Sequence, residues 1–138
     1  MPKESILVID DDAPIRELLV ETLSRRGYSV RSAGHGVEGI TLYRALPADL
    51  VITDMVMPEQ DGLSTIMELR RIAPDVRIIA MSGGMVQTPK LYLQFAEKLG
   101  ADRVLLKPFE LSELVRIVAE VLALPSPRVI PSGTWRGI

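Results

Sequence analysis

Three features of the sequence predict an α/β fold: one doubly wound domain, a five-stranded, mainly parallel sheet with helices on both faces. Short apolar runs alternate five times with stretches whose apolar residues recur at helical spacing. The first and third runs are continuous, as expected for strands buried on both sides. Charged or hydroxyl residues stand at the ends of these runs: Asp10, Asp54, Ser82 and Lys107. Right-handed crossovers leave few ways to arrange such a chain.

The first run, Ser5–Ile9, is a strand followed by Asp10, Asp11 and Asp12. In the helix after it, Ile15, Leu18, Leu19, Thr22 and Leu23 share one face. Asp12 is its expected N-cap and Pro14 suits the first turn. Arg25 and Arg26 oppose the negative end of the dipole, and Gly27 stops the helix. Residues 28–33 alternate loosely and read as a second strand near a sheet edge. Gly34, His35 and Gly36 form a turn, with His35 expected at the surface. A second helix, 37–46, is weakened by Gly39 and ended by Pro47.

The third strand, 49–53, delivers Asp54 to a turn containing Pro58, Asp61 and Gly62. A third helix follows over 63–73, with Asp61 as its expected cap. The fourth strand, 77–81, ends at Ser82, Gly83 and Gly84. Thr88 and Pro89 start a fourth helix with Tyr92, Phe95, Ala96 and Leu99 as its stripe. The fifth strand, 103–106, leads to Lys107 and Pro108. Leu111, Leu114, Val115, Val118 and Leu122 mark a fifth helix, and Ile117, Val121 and Leu124 lie beyond that stripe, leaving room for a dimer face. The domain is expected over 1–124. Residues 125–138, rich in Pro, Ser and Gly and without periodicity, read as a tail or linker with no output domain.

At 138 residues, 47% hydrophobic and 25% charged, the chain suits one globular core. A net charge of −2 gives no footprint for nucleic acid or an anionic membrane. Cysteine is absent, which excludes a disulfide framework, Cys-ligated zinc and a thiol nucleophile. No apolar run suits a signal peptide or a membrane span, so a cytoplasmic protein is the expectation.

In a parallel sheet the C-terminal strand ends share one edge, where open α/β sheets place their ligands. Asp10, Asp11 and Asp54 would converge there and repel unless a cation sat among them. Oxygen ligands without His or Cys point to a hard metal such as Mg²⁺. A lysine and a hydroxyl beside them suit a phosphoryl group. The chemistry indicated is phosphoryl transfer onto, or by, an aspartate. Each residue has a plainer explanation: a helix start for Asp10 to Asp12, a turn for Ser82, a solvated surface for Lys107. One shared site explains four strand ends together.

These residues resemble the receiver domain of bacterial two-component response regulators. Ile6 to Asp11 resemble its first strand and acidic pair, and Asp54 to Pro58 with Asp61 and Gly62 its phosphoacceptor loop. Ser82 stands at its Ser/Thr position, and Lys107, Pro108 and Phe109 resemble its Lys-Pro signature. The resemblance implies a flavodoxin-like strand order of 2-1-3-4-5. It implies that Asp54 accepts a phosphoryl group from a sensor histidine kinase or phosphotransfer protein. It implies Mg²⁺ held directly by Asp11, Asp54 and the Val56 backbone carbonyl with Asp10 helping through water, Ser82 and Lys107 contacting the phosphoryl group, and a cis peptide at Pro108. The readout surface, for a downstream protein, an output domain or a homodimer, would be the fourth helix, fifth strand and fifth helix. The domain would be no enzyme beyond its own phosphoryl transfer and loss.

The sequence departs from the family at Val104, where an aromatic switch residue is usual, and in a longer segment after Ser82. Two alternatives are a receiver-fold scaffold acting without phosphate and a small haloacid-dehalogenase-like phosphatase built on Asp10 and Asp12. The first would usually lack one of the acids or the lysine, and this chain has them all. The second requires Thr or Val at Pro14 and an acidic pair after Lys107, and leaves Asp54 idle.

Overall fold

The structure, a computed structural model, describes residues 3–55, 62–83, 94, 97, 98 and 100–125. Strands β1 (Ser5–Ile9), β2 (Ser29–Ala33), β3 (Leu50–Asp54), β4 (Arg77–Gly83) and β5 (Arg103–Lys107) form one sheet in the order β2-β1-β3-β4-β5. Every neighbouring pair is parallel. The helices bounded within the described residues are α1 (Ala13–Arg25), α2 (Gly36–Ala45), α3 (Gly62–Ile72) and α4 (Leu111–Leu122). Of the expected fourth helix, Gln94, Glu97 and Lys98 are described and helical; its apolar stripe lies outside the described residues, as do Asp61 and the tail from 126.

Strand alternation sorts the core into two layers. Leu7, Ile9, Val51, Ile78 and Ala80 face α2 and α3 through Ile40, Tyr43, Ile66 and Leu69. Ile6, Val8, Ile52, Ile79, Met81 and Leu105 face α1 and α4 through Leu19, Leu23, Leu114 and Val118. The central strands β1 and β3 are buried on both sides, which is why their sequences are continuous apolar runs. Edge strand β2 is half-exposed and reads as looser alternation.

Local signals set the helix ends. Asp12 caps α1, its Oδ1 accepting from Ile15 N at 3.2 Å, and Gly27 follows with φ +97°. His35 caps α2 by accepting from Glu38 N at 3.3 Å, a more specific role than the surface position expected of it. Leu18, placed by spacing on the apolar face of α1, is 45% exposed, because α1 seats itself on the sheet through Leu19 and Leu23.

The expected spare face of the last helix needs correcting. Ile117 and Val121 are buried in the core, and Leu124 packs against it. The stripe of α4 is wider than read, running through Leu114, Ile117, Val118, Val121 and Leu122 at three- and four-residue steps, so these residues face the sheet rather than a second copy.

Gly39 is also more than a weak point in α2. A Cβ built there would run into the Ile9 side chain, 2.8 Å from its Cγ1 and closer still to Cδ1. The glycine lets α2 lie directly on β1. Gly39→Ala is therefore expected to destabilise by about 1 kcal/mol, overpacking outweighing the gain in helix propensity. Urea unfolding would show a smaller loss in an Ile9→Val background; stabilisation by Gly39→Ala in the wild type would contradict the close packing.

The edge of the sheet where the strands begin is pinned by arginines. Arg70 donates to the carbonyls of Pro74 (3.1 Å), Val76 and Gly100 (2.5 Å). Arg77 donates to Leu124 O at 2.6 Å, anchoring the end of α4. The polar strand ends are left to gather at the opposite edge.

Candidate functional site

Where β1 ends, its three aspartates take three different positions. Asp10 is fully buried; its Oδ1 accepts from Asp12 N at 2.9 Å and its Oδ2 from Lys107 Nζ at 2.9 Å. Asp11 is exposed, and Asp12 turns away to cap α1. Asp54 closes β3 and is 7% exposed. Its Oδ1 accepts from Met55 N at 3.0 Å and lies 3.5 Å from Lys107 Nζ. The Lys107 ammonium therefore stands between two buried carboxylates. By alternation Asp10, Asp54 and Lys107 continue the face that carries Val8, Ile52 and Leu105.

Lys107 enters the site from an edge strand that must come close to β4. Gly83 pairs with Lys107, and a Cβ at Gly83 would lie 2.5 Å from Lys107 O and 2.8 Å from Lys107 Cβ. A side chain at 83 would push β5 and its lysine outward. The sequence reads Gly83 as a turn residue; its sheet register, which carries the close approach, has no signature in composition. The Lys107–Pro108 peptide is cis, as expected.

Ser82 lies within β4 rather than after it, paired with Leu106. It is one residue out of phase with the face carrying Asp54 and Lys107. Its buried hydroxyl makes no hydrogen bond among the described residues, so the structure does not join it to the acids and the lysine. Val56 lies outside the described residues. Val104, at the expected switch position, is half-buried against the core.

The electrostatics follow from this crowding. Burial, above all, pushes the Asp54 carboxyl up to about 6, with the negative charges of Asp10 and Asp11 adding to it. The Lys107 charge and the Met55 N–H oppose that rise. Burial pulls Lys107 down, but its bond to Asp10 and the charges of Asp54 and Asp10 outweigh burial and leave it raised. Asp10, Asp11 and Asp54 each offer an oxygen within 4.8 Å of the others. An all-oxygen set at that spacing could hold a metal ion, and its chemistry suits a hard divalent cation.

The family model of the response regulator receiver domain matches residues 6–119. The chain belongs to the response regulator receiver domain family. This receiver is 41% identical over 130 residues to the DNA-binding transcriptional regulator NtrC of Azospirillum brasilense, covering 92% of this chain and 26% of that one. It superposes on the receiver domain of NtrX from Brucella abortus with a TM-score of 0.79 at 26% identity, covering 85% of this chain and 97% of that one. The chemotaxis protein CheY4 of Vibrio cholerae superposes with a TM-score of 0.78 at 25% identity, over 87% of this chain and 99% of that one. The receiver thus spans about a quarter of the length of the NtrC relative and nearly all of the CheY4 chain. No helix among its described residues is long and apolar enough to cross a membrane.

Proposed function

We propose that this receiver accepts a phosphoryl group on Asp54 from a phosphohistidine of a sensor histidine kinase or phosphotransfer protein, in the cytoplasm, and that the modified state controls a downstream protein or an output domain. The observation that carries this reading is the convergence of Asp10, Asp11, Asp54 and Lys107 at one sheet edge. In the transfer, an Asp54 carboxylate oxygen attacks phosphorus, the P–N bond breaks, and the imidazole departs with the bonding pair. Lys107, already 3.5 Å from Asp54, holds the carboxylate in place and pairs with a phosphoryl oxygen as charge moves onto it. Asp11, Asp54 and the Val56 carbonyl would hold Mg²⁺ directly, with Asp10 helping through water; when bound, the ion neutralises charge on the phosphoryl oxygens.

The Ser82 hydroxyl, buried without a partner among the described residues, gains one if it turns to the new phosphoryl oxygens. That gain favours a conformer in which β4 is redrawn. Moving a switch from mostly off to mostly on takes about 5.5 kcal/mol of difference between the states. The expected fourth helix, β5 and α4 are where a partner, an output domain or a second copy would read the change. Residues 125–138 act as the tail or linker beyond a domain ending at 124. The chain acts on its own phosphoryl group alone, so it is a switch rather than an enzyme with a separate substrate.

Intact-mass spectrometry after incubation with a small acyl phosphate and Mg²⁺ tests this. One added phosphoryl is expected, dependent on Mg²⁺ and lost in Asp54→Asn. No addition from the small donor or from a phosphorylated kinase would overturn the reading.

A further inference from the structure

The turn between β1 and α1 supplies two of the three converging carboxylates, and one basic side chain holds its backbone. Arg16 Nη1 donates to the Asp10 carbonyl at 2.8 Å, gripping the peptide that joins Asp10 to Asp11. Asp10 N in turn donates to Ala33 O at 3.1 Å, so Asp10 is fixed through its amide, its carbonyl and both carboxylate oxygens. The guanidinium also lies over Gly34, where a Cβ would sit 3.6 Å from Nη1 and 3.8 Å from Glu38 Oε1. Glu38 Oε1 accepts from Gly34 N at 2.8 Å, so the Arg16 side chain packs on a turn that is itself tied to α2.

Carboxylates that repel one another converge only if their backbone resists splaying. Asp11 is exposed and free to swing toward water unless its peptide is held. We propose that Arg16 is a positioning residue for the acidic site: by holding the Asp10 carbonyl it keeps the β1–α1 turn in the form that aims Asp10 and Asp11 at Asp54. The inference rests on the receiver reading above, in which these acids hold a divalent cation. A positive charge so near would, acting alone, weaken cation binding. Positioning and repulsion thus predict opposite effects of removing Arg16.

Calorimetric titration of the metal-free protein with Mg²⁺ separates them. Arg16→Ala is expected to weaken Mg²⁺ binding about tenfold, the scale of groups that orient metal ligands. Arg16→Lys, which retains charge and a donor, recovers most of the affinity. Arg16→Met retains the aliphatic stem and serves where the alanine variant folds poorly. Without metal, amide exchange at Asp12, whose N–H is held by Asp10 Oδ1, is expected to quicken in Arg16→Ala and Arg16→Met. Unchanged or tighter Mg²⁺ binding in folded Arg16→Met would overturn the inference, as would an unchanged Asp12 exchange rate. A wild type that binds no Mg²⁺ would instead overturn the metal site itself, an outcome read before any variant is compared.

Discussion

Replacing Lys107 with alanine is expected to destabilise the protein by about 3 kcal/mol at pH 7.5 without metal. The ammonium is the cation between Asp10, 2.9 Å away and with no side-chain exposure, and Asp54 at 3.5 Å. Its loss leaves two buried carboxylates facing each other. Breaking a buried pair from one side costs about 3–5 kcal/mol, and the 17% exposure of the Lys107 side chain argues for the lower figure. The loss depends on pH with a definite sign. Lys107 holds the Asp54 carboxyl down, so without it that group titrates above the value of about 6 it has in the wild type. As pH falls below about 6, Asp54 protonates, the repulsion disappears, and the cost shrinks. The raised Lys107 is itself charged throughout this range, so the acid-side change belongs to the carboxylates. Urea unfolding at pH 7.5 and pH 5 reads both numbers, and adding Asp10→Asn to Lys107→Ala should recover part of the loss at pH 7.5. A variant as stable as the wild type at pH 7.5, or one equally destabilised at both pH values, would show that the ion pairs do not hold this edge together.

How far the sequence could be read depended on whether a residue's role is local. The Ser5–Ile9 strand, the Asp12 cap and the stop at Gly27 were legible because chain neighbours decide them. Asp10, Asp54 and Lys107 were legible as a group because parallel strands bring their C-terminal ends to one edge. Roles that depend on what another element brings were not. Gly39 looks like a flaw in a helix until Ile9 is seen beneath it, and Gly83 like a turn until its register places Lys107 against it. Arg16 looks like a solvated helix residue; its grip on the Asp10 carbonyl depends on how the turn folds back on α1. The width of the α4 stripe is a property of the sheet it covers, which is why Ile117 and Val121 read as spare and are buried. Ser82 reads as a turn residue because a Ser followed by two glycines signals a turn, while pairing with β5 carries β4 on through Gly83.

Asp54→Asn is expected to stabilise the metal-free protein by about 2 kcal/mol above pH 6, while removing the proposed phosphoryl acceptor. Burial raises the Asp54 carboxyl from 3.8 to about 6, so between those values the folded protein binds a proton that the unfolded chain has lost. The contribution of Asp54 to wild-type stability must then fall as pH rises from about 4 to about 6 and level off above that. Two units at 1.36 kcal/mol each set a ceiling of about 3 kcal/mol, and residual solvent access at the sheet edge lowers it to about 2. Asparagine carries no charge to bury, so the variant and the wild type should match near pH 4 and separate over the next two units. Mg²⁺ should work against this gap. A cation bound among three carboxylates stabilises the wild type by RT ln(1 + [Mg²⁺]/Kd), about 2.7 kcal/mol at a hundredfold excess over Kd, and does less where one ligand has become an amide. Thermal unfolding of both proteins from pH 4 to pH 8, with and without Mg²⁺, gives four curves that these statements fix in relation to one another. A wild type whose stability rises from pH 4 to pH 6 relative to Asp54→Asn would mean that the Asp54 charge is stabilised by its surroundings. Lys107 would then outweigh burial, and the folded site would favour an ionised acceptor even without metal.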